Sequence, residues 1–336
     1  MILRTLVRTI GAVCLLALGA WAVLALLYAG SDAGPVRRVL ATVMAALTIL
    51  CAAMLLRGGR WQLIAIICVP FATIIAWFAL HQPMNDRGWS PDVARVPFAE
   101  IDGDKVTIHN VRNFVWRTEG DFAERWETRT IDLARLEGVD LIGSYWMGEA
   151  IAHIMVSFPF QDAPPLAVSI ETRKEQGEPY SAVLGFFRRY ELVYVVADER
   201  DLIGVRTNIR KDPPEDVYVY RVAAPRDAAR RLFLEYVRQI NELRDHPQFY
   251  NTATTNCTTM VMVNNRVNGA NSLLNWKILL SGYLPQLAYE RGRLDQSMPF
   301  AELRRRSRVN DAARAAGLDA PDFSTRMRVG LPQPSS

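Results

Sequence analysis

Ile151-Ala152-His153-Ile154-Met155-Val156-Ser157-Phe158, then Gln161-Asp162-Ala163-Pro164-Pro165, then Leu166-Ala167-Val168-Ser169-Ile170-Glu171-Thr172 read as two strands joined by a loop of hairpin size. Successive side chains of a strand point to opposite faces, so Ile151, His153, Met155 and Ser157 share one face. Ser169 and Glu171 likewise share a face of the second arm, which lets a carboxylate stand beside an imidazole.

Strand signals continue on both sides of this hairpin. Upstream they fall at Lys105 to Val111, Asn113 to Trp116, a charged stretch through Glu124, Trp126, Thr128 and Thr130, and Gly138 to Trp146. Downstream, Tyr180 to Tyr190 reads as a short helix, and Leu192 to Val196 and Val217 to Val222 read as strands. A stripe of Leu232, Phe233, Tyr236, Val237 and Ile240 makes Ala228 to Leu243 helical, and another helix begins at Cys257. The expected class is α+β: a mostly antiparallel sheet with flanking helices.

The first eighty residues are of another composition. Apolar runs at Ile10 to Ala29, Val39 to Leu56 and Trp61 to Leu80 each approach the ~20 residues that cross a bilayer as helix. A single cleaved signal would not be followed by two more such runs. We therefore expect three transmembrane helices over residues 1–82, a linker over 83–100 and one soluble domain over 101–330. Arg4, Arg8, Arg57 and Arg60 favour a cytoplasmic N-terminus, opposed by Arg37 and Arg38. Three crossings then deliver the domain to the periplasm, with the chain in the bacterial inner membrane. Trp61, Trp77 and Trp89 with Arg60 and Arg87 suit an interfacial belt. The formal charge of +4 is slight, and no Lys/Arg run alternates with aromatics, so no nucleic-acid surface is expected. The basic cluster of Arg304, Arg305, Arg306 and Arg308, with Arg326 and Arg328, suits a solvated helix face or anionic head groups.

Of the four cysteines, Cys14, Cys51 and Cys68 lie in the apolar runs, which leaves Cys257 without a disulfide partner in the soluble part. Cys257 stands at a helix start, in Asn256-Cys257-Thr258-Thr259, where unpaired N–H groups and partial positive charge favour the nucleophilic thiolate. A thiolate needs a histidine, itself oriented by a third polar group. His81 lies in the linker, His246 precedes Pro247 in a loop, and His109 and His153 lie in expected strands. His153 has Glu171 within reach, with Ser169 or a backbone carbonyl as substitutes. The N–H of Cys257 and a neighbouring amide, Asn256 or Asn251, are candidate oxyanion donors, although either Asn can simply cap the helix. Arg200 and Arg206 are candidates for head-group binding, set against an ion-pair network with Asp201. Metal-ligand spacing and a Gly-rich phosphate loop are both missing from the sequence, so no metal and no cofactor are expected.

A histidine strand, a polar residue on the next strand and a later cysteine at a helix start reverse the papain order. This resembles the circularly permuted papain-like folds of NlpC-type thiol hydrolases and lecithin:retinol acyltransferases. A closer resemblance covers nearly the whole soluble part. Ala152 to Phe158, Ser169 to Glu175, Asp198-Glu199-Arg200-Asp201, Arg206-Thr207-Asn208, Phe249-Tyr250-Asn251-Thr252, Asn256-Cys257-Thr258-Thr259 and Ser281-Gly282-Tyr283-Leu284-Pro285 are similar, in this order, to the Lnb-type family. Its namesake is a bacterial lipoprotein N-acyltransferase. The resemblance implies a papain-like thiol fold in the periplasm, with Cys257 taking an acyl group as thioester and His153 acting as base. It also implies membrane lipids as the acyl source and a lipoprotein N-terminus as acceptor. The chain differs from the namesake in its three amino-terminal helices and in lacking a large domain after the thiol domain. A peptidoglycan amidase or peptidase would use the same Cys257 and His153; a non-catalytic envelope module would need neither.

Overall fold

In the computed structural model of the chain, residues 2–31, 33–58, 64–269 and 275–334 are described. The chain divides into two compact units, Met1–Met84 with Pro179–Glu191 and Phe249–Thr252, and Asn85–Glu178 with Leu192–Gln248 and Ala253–Ser336.

The first unit is built on three helices: α1 (Ile2–Tyr28), α2 (Pro35–Leu56) and α3 (Ile64–Leu80). Two of them, α1 and α2, are long and apolar enough to cross a membrane. α3 has 17 residues, about 25 Å of rise against a hydrocarbon core of about 30 Å. Of the three expected spans, two meet the length among the described residues and the third is not confirmed. Arg60 and Trp61, on which part of that expectation fell, lie outside the described residues. Gly19 is what lets α1 and α2 touch, since a Cβ there would sit 2.2 Å from Thr48 Cγ2. Trp21 packs edge-on to Phe71 and Phe78 of α3, with ring centroids 6.1 and 5.2 Å away. Arg37 donates to the carbonyls of Leu26 (2.8 Å) and Ala29 (2.7 Å). It caps the end of α1, a local task that accounts for one of the two arginines opposing the charge asymmetry.

The second unit is an α+β domain whose strands are β1 (Phe98–Asp102), β2 (Lys105–Arg112), β3 (Val115–Trp116), β4 (Phe122–Ala123), β5 (Trp126–Asp132), β6 (Asp140–Tyr145), β7 (His153–Phe158), β8 (Leu166–Arg173), β9 (Glu191–Asp198) and β10 (Asp216–Arg221). Among the described residues they form an eight-stranded sheet in the order β1-β2-β9-β8-β7-β6-β10, with β5 on β2 and a separate β3-β4 pair. β1-β2, β2-β5, β6-β7, β7-β8 and β6-β10 pair antiparallel, as expected, whereas β2 meets β9 in parallel at Arg112 and Ala197. The sheet is therefore mixed.

One face carries an apolar cluster that includes Ile142, Met155, Ala167, Val193, Val195, Val217 and Val219. It is covered by α4 (Glu199–Gly204) and by C-terminal segments contributing Val309, Ala313, Phe323 and Met327. Against the other face lies α5 (Arg226–Asp245), where Phe233 and Tyr236 meet Phe158 at 5.0 and 5.7 Å. α6 (Cys257–Asn264) packs on β7 and β8, and Asn264 donates to Tyr194 of β9 at 3.1 Å.

Two local expectations change. Tyr180 to Tyr190 forms only a 3-10 turn at Leu184–Phe186. Gly185 sits so close to Thr252 that a Cβ would lie 2.3 Å from its Oγ1, and Arg188 has φ +55, which breaks a helix. Trp89 and Arg87 do not join an interfacial belt. They belong to the second unit, where Arg173 stacks on Trp89 at 4.4 Å and Arg87 bonds Glu175 at 2.7 Å. The basic C-terminal cluster gives the solvated helix faces expected of it, with Arg305 and Arg306 paired to Glu302 and Arg326 to Asp322.

Candidate functional site

Asn256 starts α6. Its side-chain oxygen accepts from the N–H groups of Thr258 (3.0 Å) and Thr259 (2.9 Å), and its own N–H donates to Thr259 Oγ1 at 2.9 Å. This reciprocal capping box makes Asn256 a helix cap and engages its backbone N–H. Cys257 is the first residue of the helix, and its N–H takes no part in the box. Asn251 falls in the other unit.

Across from the cap, the register that sets Met155 against Ser169 continues to place position 153 against 171. His153 Nε2 lies 2.6 Å from Ser169 Oγ and 3.1 Å from Glu171 Oε1. Ser169 donates its one proton to the same carboxylate oxygen at 2.6 Å, so it can only accept from the ring. Nε2 therefore carries the hydrogen, and Nδ1 is left for the thiol. Cys257 is hydrogen-bonded to His153, to the Ile154 N–H and to Thr258, whose Oγ1 is 3.8 Å away.

Burial alone would raise the thiol pKa, but the charge and hydrogen bond of His153, with the Ile154 N–H, hold it below the usual thiol value. For His153, burial opposes the charge, and the Glu171 carboxylate and the Cys257 thiolate outweigh it, pushing the pKa up to about 10. Glu171 is held well below the usual carboxylate range against its burial, by His153 and then by Arg206 and Ser169. All three directions favour a thiolate–imidazolium pair backed by a carboxylate over the neutral pair.

Behind Glu171 stands a layer that sequence reading assigns otherwise or misses. Arg206 is buried and donates to Leu202 O at 2.7 Å and to Glu171 Oε1 at 3.1 Å, with its Nε 3.6 Å from Glu215. It sits on a π-helical turn, Val205–Ile209, a form that recurs at functional sites. Glu215 also binds Arg210 at 2.6 Å and accepts from Ser144. Arg206 thus braces the carboxylate of the histidine, and its guanidinium is engaged on the buried side. Arg200 stands apart from the thiol: it donates to Asn113 at 2.5 Å and lines a cleft of about 880 Å³ that includes none of Cys257, His153 and Glu171. Asp201 is sealed in a structural network with Arg112 (3.0 Å), Phe114 N (2.8 Å) and Trp116 Nε1 (2.8 Å).

The remaining histidines lie elsewhere. His109 stacks on Phe98 at 4.4 Å, His81 stacks on Phe249 at 5.4 Å, and His246 is exposed beside Glu242. The Ser281-Gly282-Tyr283 turn instead serves the site directly. Gly282 N donates to Ala150 O at 3.0 Å, and Ser281 Oγ accepts from Ala152 N at 2.9 Å, which fixes the entry into β7 just before His153. Only glycine fits there, because a Cβ at 282 would lie 1.9 Å from Glu149 O. The five-residue phrase around Gly282 is the sequence signal for this support.

Among curated proteins and among solved structures, nothing matches the chain. Residues 122–282, just under half of the chain and a stretch that holds Ser144, His153, Ser169, Glu171, Arg206, Glu215, Cys257 and Gly282, match the family model of the Lnb N-terminal periplasmic domain, behind two helices long and apolar enough to anchor such a domain in a membrane.

Proposed function

We propose that this protein is a membrane-anchored periplasmic thiol acyltransferase of papain-like, permuted design, with Cys257 as nucleophile. The observation that carries the reading is the array in which Cys257 meets His153, and His153 Nε2 meets Ser169 and Glu171 at 2.6 and 3.1 Å. In the first half-reaction the thiolate attacks an ester carbonyl, a C–S bond forms, and the C–O bond breaks. The leaving alkoxide takes the proton of the His153 imidazolium. In the second, a neutral amine attacks the thioester, a C–N bond forms, the C–S bond breaks, and the amine proton returns to His153. The N–H of Cys257 at the helix start is placed to stabilise the oxyanion in both.

Met147, Ile151, Trp276, Leu279 and Leu280 stay exposed on the segments flanking β7 and α6. Apolar surface there suits a lipid chain better than a glycan or a polar peptide. The acyl source is then a membrane lipid and the acceptor a lipoprotein amino terminus.

Intact mass spectrometry of protein purified from membranes, wild type against Cys257→Ser, tests the proposal. A fatty-acyl adduct on Cys257 that neutral hydroxylamine removes, and that the serine variant lacks as a hydroxylamine-labile species, is the expected result. A bare thiol that alkylates rapidly with phospholipid present would move the assignment to a peptidoglycan amidase or peptidase. A bare and unreactive thiol would leave a non-catalytic module.

A further inference from the structure

The first unit includes a segment of the soluble region, Pro179–Glu191, that is tied to the ends of its apolar helices. Arg188 donates to the last carbonyls of α3, Phe78 O at 2.5 Å and Ala79 O at 3.2 Å, and to His81 O at 3.1 Å. Its backbone carbonyl accepts from Gly30 N at 3.1 Å, and Arg189 donates to Gly30 O at 2.8 Å, just past the end of α1. Phe187 is buried 6.3 Å from Tyr28, the last residue of α1. Arg188 thus caps the end of α3, where unsatisfied carbonyls and partial negative charge favour a cation, and Arg189 holds the turn that follows α1.

The same segment leaves Tyr180, Val183 and Phe186 about half exposed, at 50%, 55% and 47%. A rigid turn holds them out: Thr252 Oγ1 donates to Ala182 O at 2.7 Å, and Gly185 fits against the same threonine. Three large apolar side chains on one short turn are unusual for a surface that faces only water. Here they lie in the same unit as the exposed apolar face of α1, which includes Ile10, Val13 and Leu16, and as the aromatic and basic residues Tyr28, Arg37, Trp77 and Arg188, with Phe187 of the same segment against Tyr28. Aromatic and basic residues gather at the level where a bilayer meets water.

We infer that Pro179–Glu191 is a membrane-seated loop whose Tyr180, Val183 and Phe186 enter the lipid beside the ends of α1 and α3. The occupant of this apolar surface is the bilayer. The inference rests on α1 crossing a membrane and is independent of any chemistry at Cys257.

The test uses the full chain in phosphatidylethanolamine–phosphatidylglycerol nanodiscs, with Cys14, Cys51, Cys68 and Cys257 replaced by Ala. An environment-sensitive fluorophore is placed on Val183→Cys or Phe186→Cys. Val13→Cys on the exposed face of α1 and Glu119→Cys on an exposed turn serve as references. Half-exposed positions carry a label without core disruption. Labels at 183 and 186 should emit to the blue of the Glu119 label, lose quenching by aqueous iodide, and gain quenching by a nitroxide attached high on the lipid chain. Iodide quenching equal to that at 119, with the label at 13 still in lipid, overturns the loop assignment alone. Aqueous behaviour at 13 as well overturns the membrane reading of α1, and the loop falls with it.

Discussion

Replacing Glu171 by Gln keeps the side-chain volume and removes one negative charge 3.1 Å from both His153 Nε2 and Arg206 Nη2. At an effective dielectric constant of ~20, one unit pair at this distance is worth about 5 kcal/mol, an upper figure because the carboxylate side chain is 25% exposed. A carboxylate at contact shifts a partner's pKa by roughly 1–3 units, or about 1.4–4 kcal/mol of support for the imidazolium. The sign follows from the coupling. Without Glu171 the His153 pKa falls, the imidazolium is lost near neutrality, and burial then dominates at Cys257 and pushes its thiol upward. In wild type, thiolate chemistry should begin below the usual thiol value, and the ion pair should persist until the histidine deprotonates at about 10. The assay is the rate of iodoacetamide alkylation of Cys257 against pH, read by mass, in a background with Cys14, Cys51 and Cys68 replaced by Ala. Glu171→Gln should slow alkylation at pH 7 by roughly ten- to a thousandfold and move its rise to higher pH. An unchanged rate and profile would refute the carboxylate's part in holding the pair.

Asn256→Ala removes the acceptor of two helix N–H groups and should cost about 0.5–2 kcal/mol, seen as a lower unfolding midpoint together with slower Cys257 alkylation. A lower midpoint with unchanged alkylation would show that the cap does not position the thiol. Gly282→Ala forces a Cβ to 1.9 Å from a backbone oxygen that cannot rotate away, so we expect a loss of about 1–3 kcal/mol, and an unaltered midpoint would contradict the close approach. Glu171, Glu199 and Glu215 all have lowered pKa values, each against burial, through His153 for the first, Arg328 for the second and Arg206 for the third. Their contribution to stability is fully present above about pH 4.5 and is lost as pH falls through the folded values. The unfolding midpoint of the full chain should therefore drop steeply below that pH, and a flat midpoint down to pH 3 would remove the argument.

The site was legible where local periodicity decides geometry. A two-residue repeat is enough to put His153, Ser169 and Glu171 on one face, because antiparallel register carries the alternation across strands. Cys257 was legible because Asn256 and Thr259 form a capping signature in four consecutive residues. Partners brought in from afar were not. Ser144 reaches Glu215 across 71 residues of sequence and Arg206 reaches Glu171 across 35, and nothing in the Asp212-Pro213-Pro214-Glu215 phrase announces burial. β1 was hidden for the same reason, since Phe98–Asp102 becomes a strand through its pairing with β2 more than through its own composition. Tyr180 to Tyr190 misled in the opposite way: its apolar residues repeat as in a helix, yet three of them point outward from a turn pinned to Thr252.

The layer behind the histidine also bears on how a half-buried thiol can cycle through two charge states. Cys257, His153, Glu171, Arg206, Glu215 and Arg210 alternate in sign along one path of contacts. A buried ion is tolerated when each charge has an opposite neighbour, and this string gives every member one. In the proposed cycle the thiolate becomes a neutral thioester in the same step in which the imidazolium gives its proton to the leaving group. Two opposite charges vanish together, and the net charge of the interior does not change. Glu171 then faces a neutral imidazole for half of the cycle. Without Arg206 it would keep only the neutral donors Ser169 and His153 and lose its nearest cation, which inclines it to take up a proton and weakens its draw on His153 when the amine attacks. With Arg206 at 3.1 Å it stays ionised throughout, ready for the returning imidazolium. A positioning role for Arg206, three contacts removed from the sulfur, follows from that requirement.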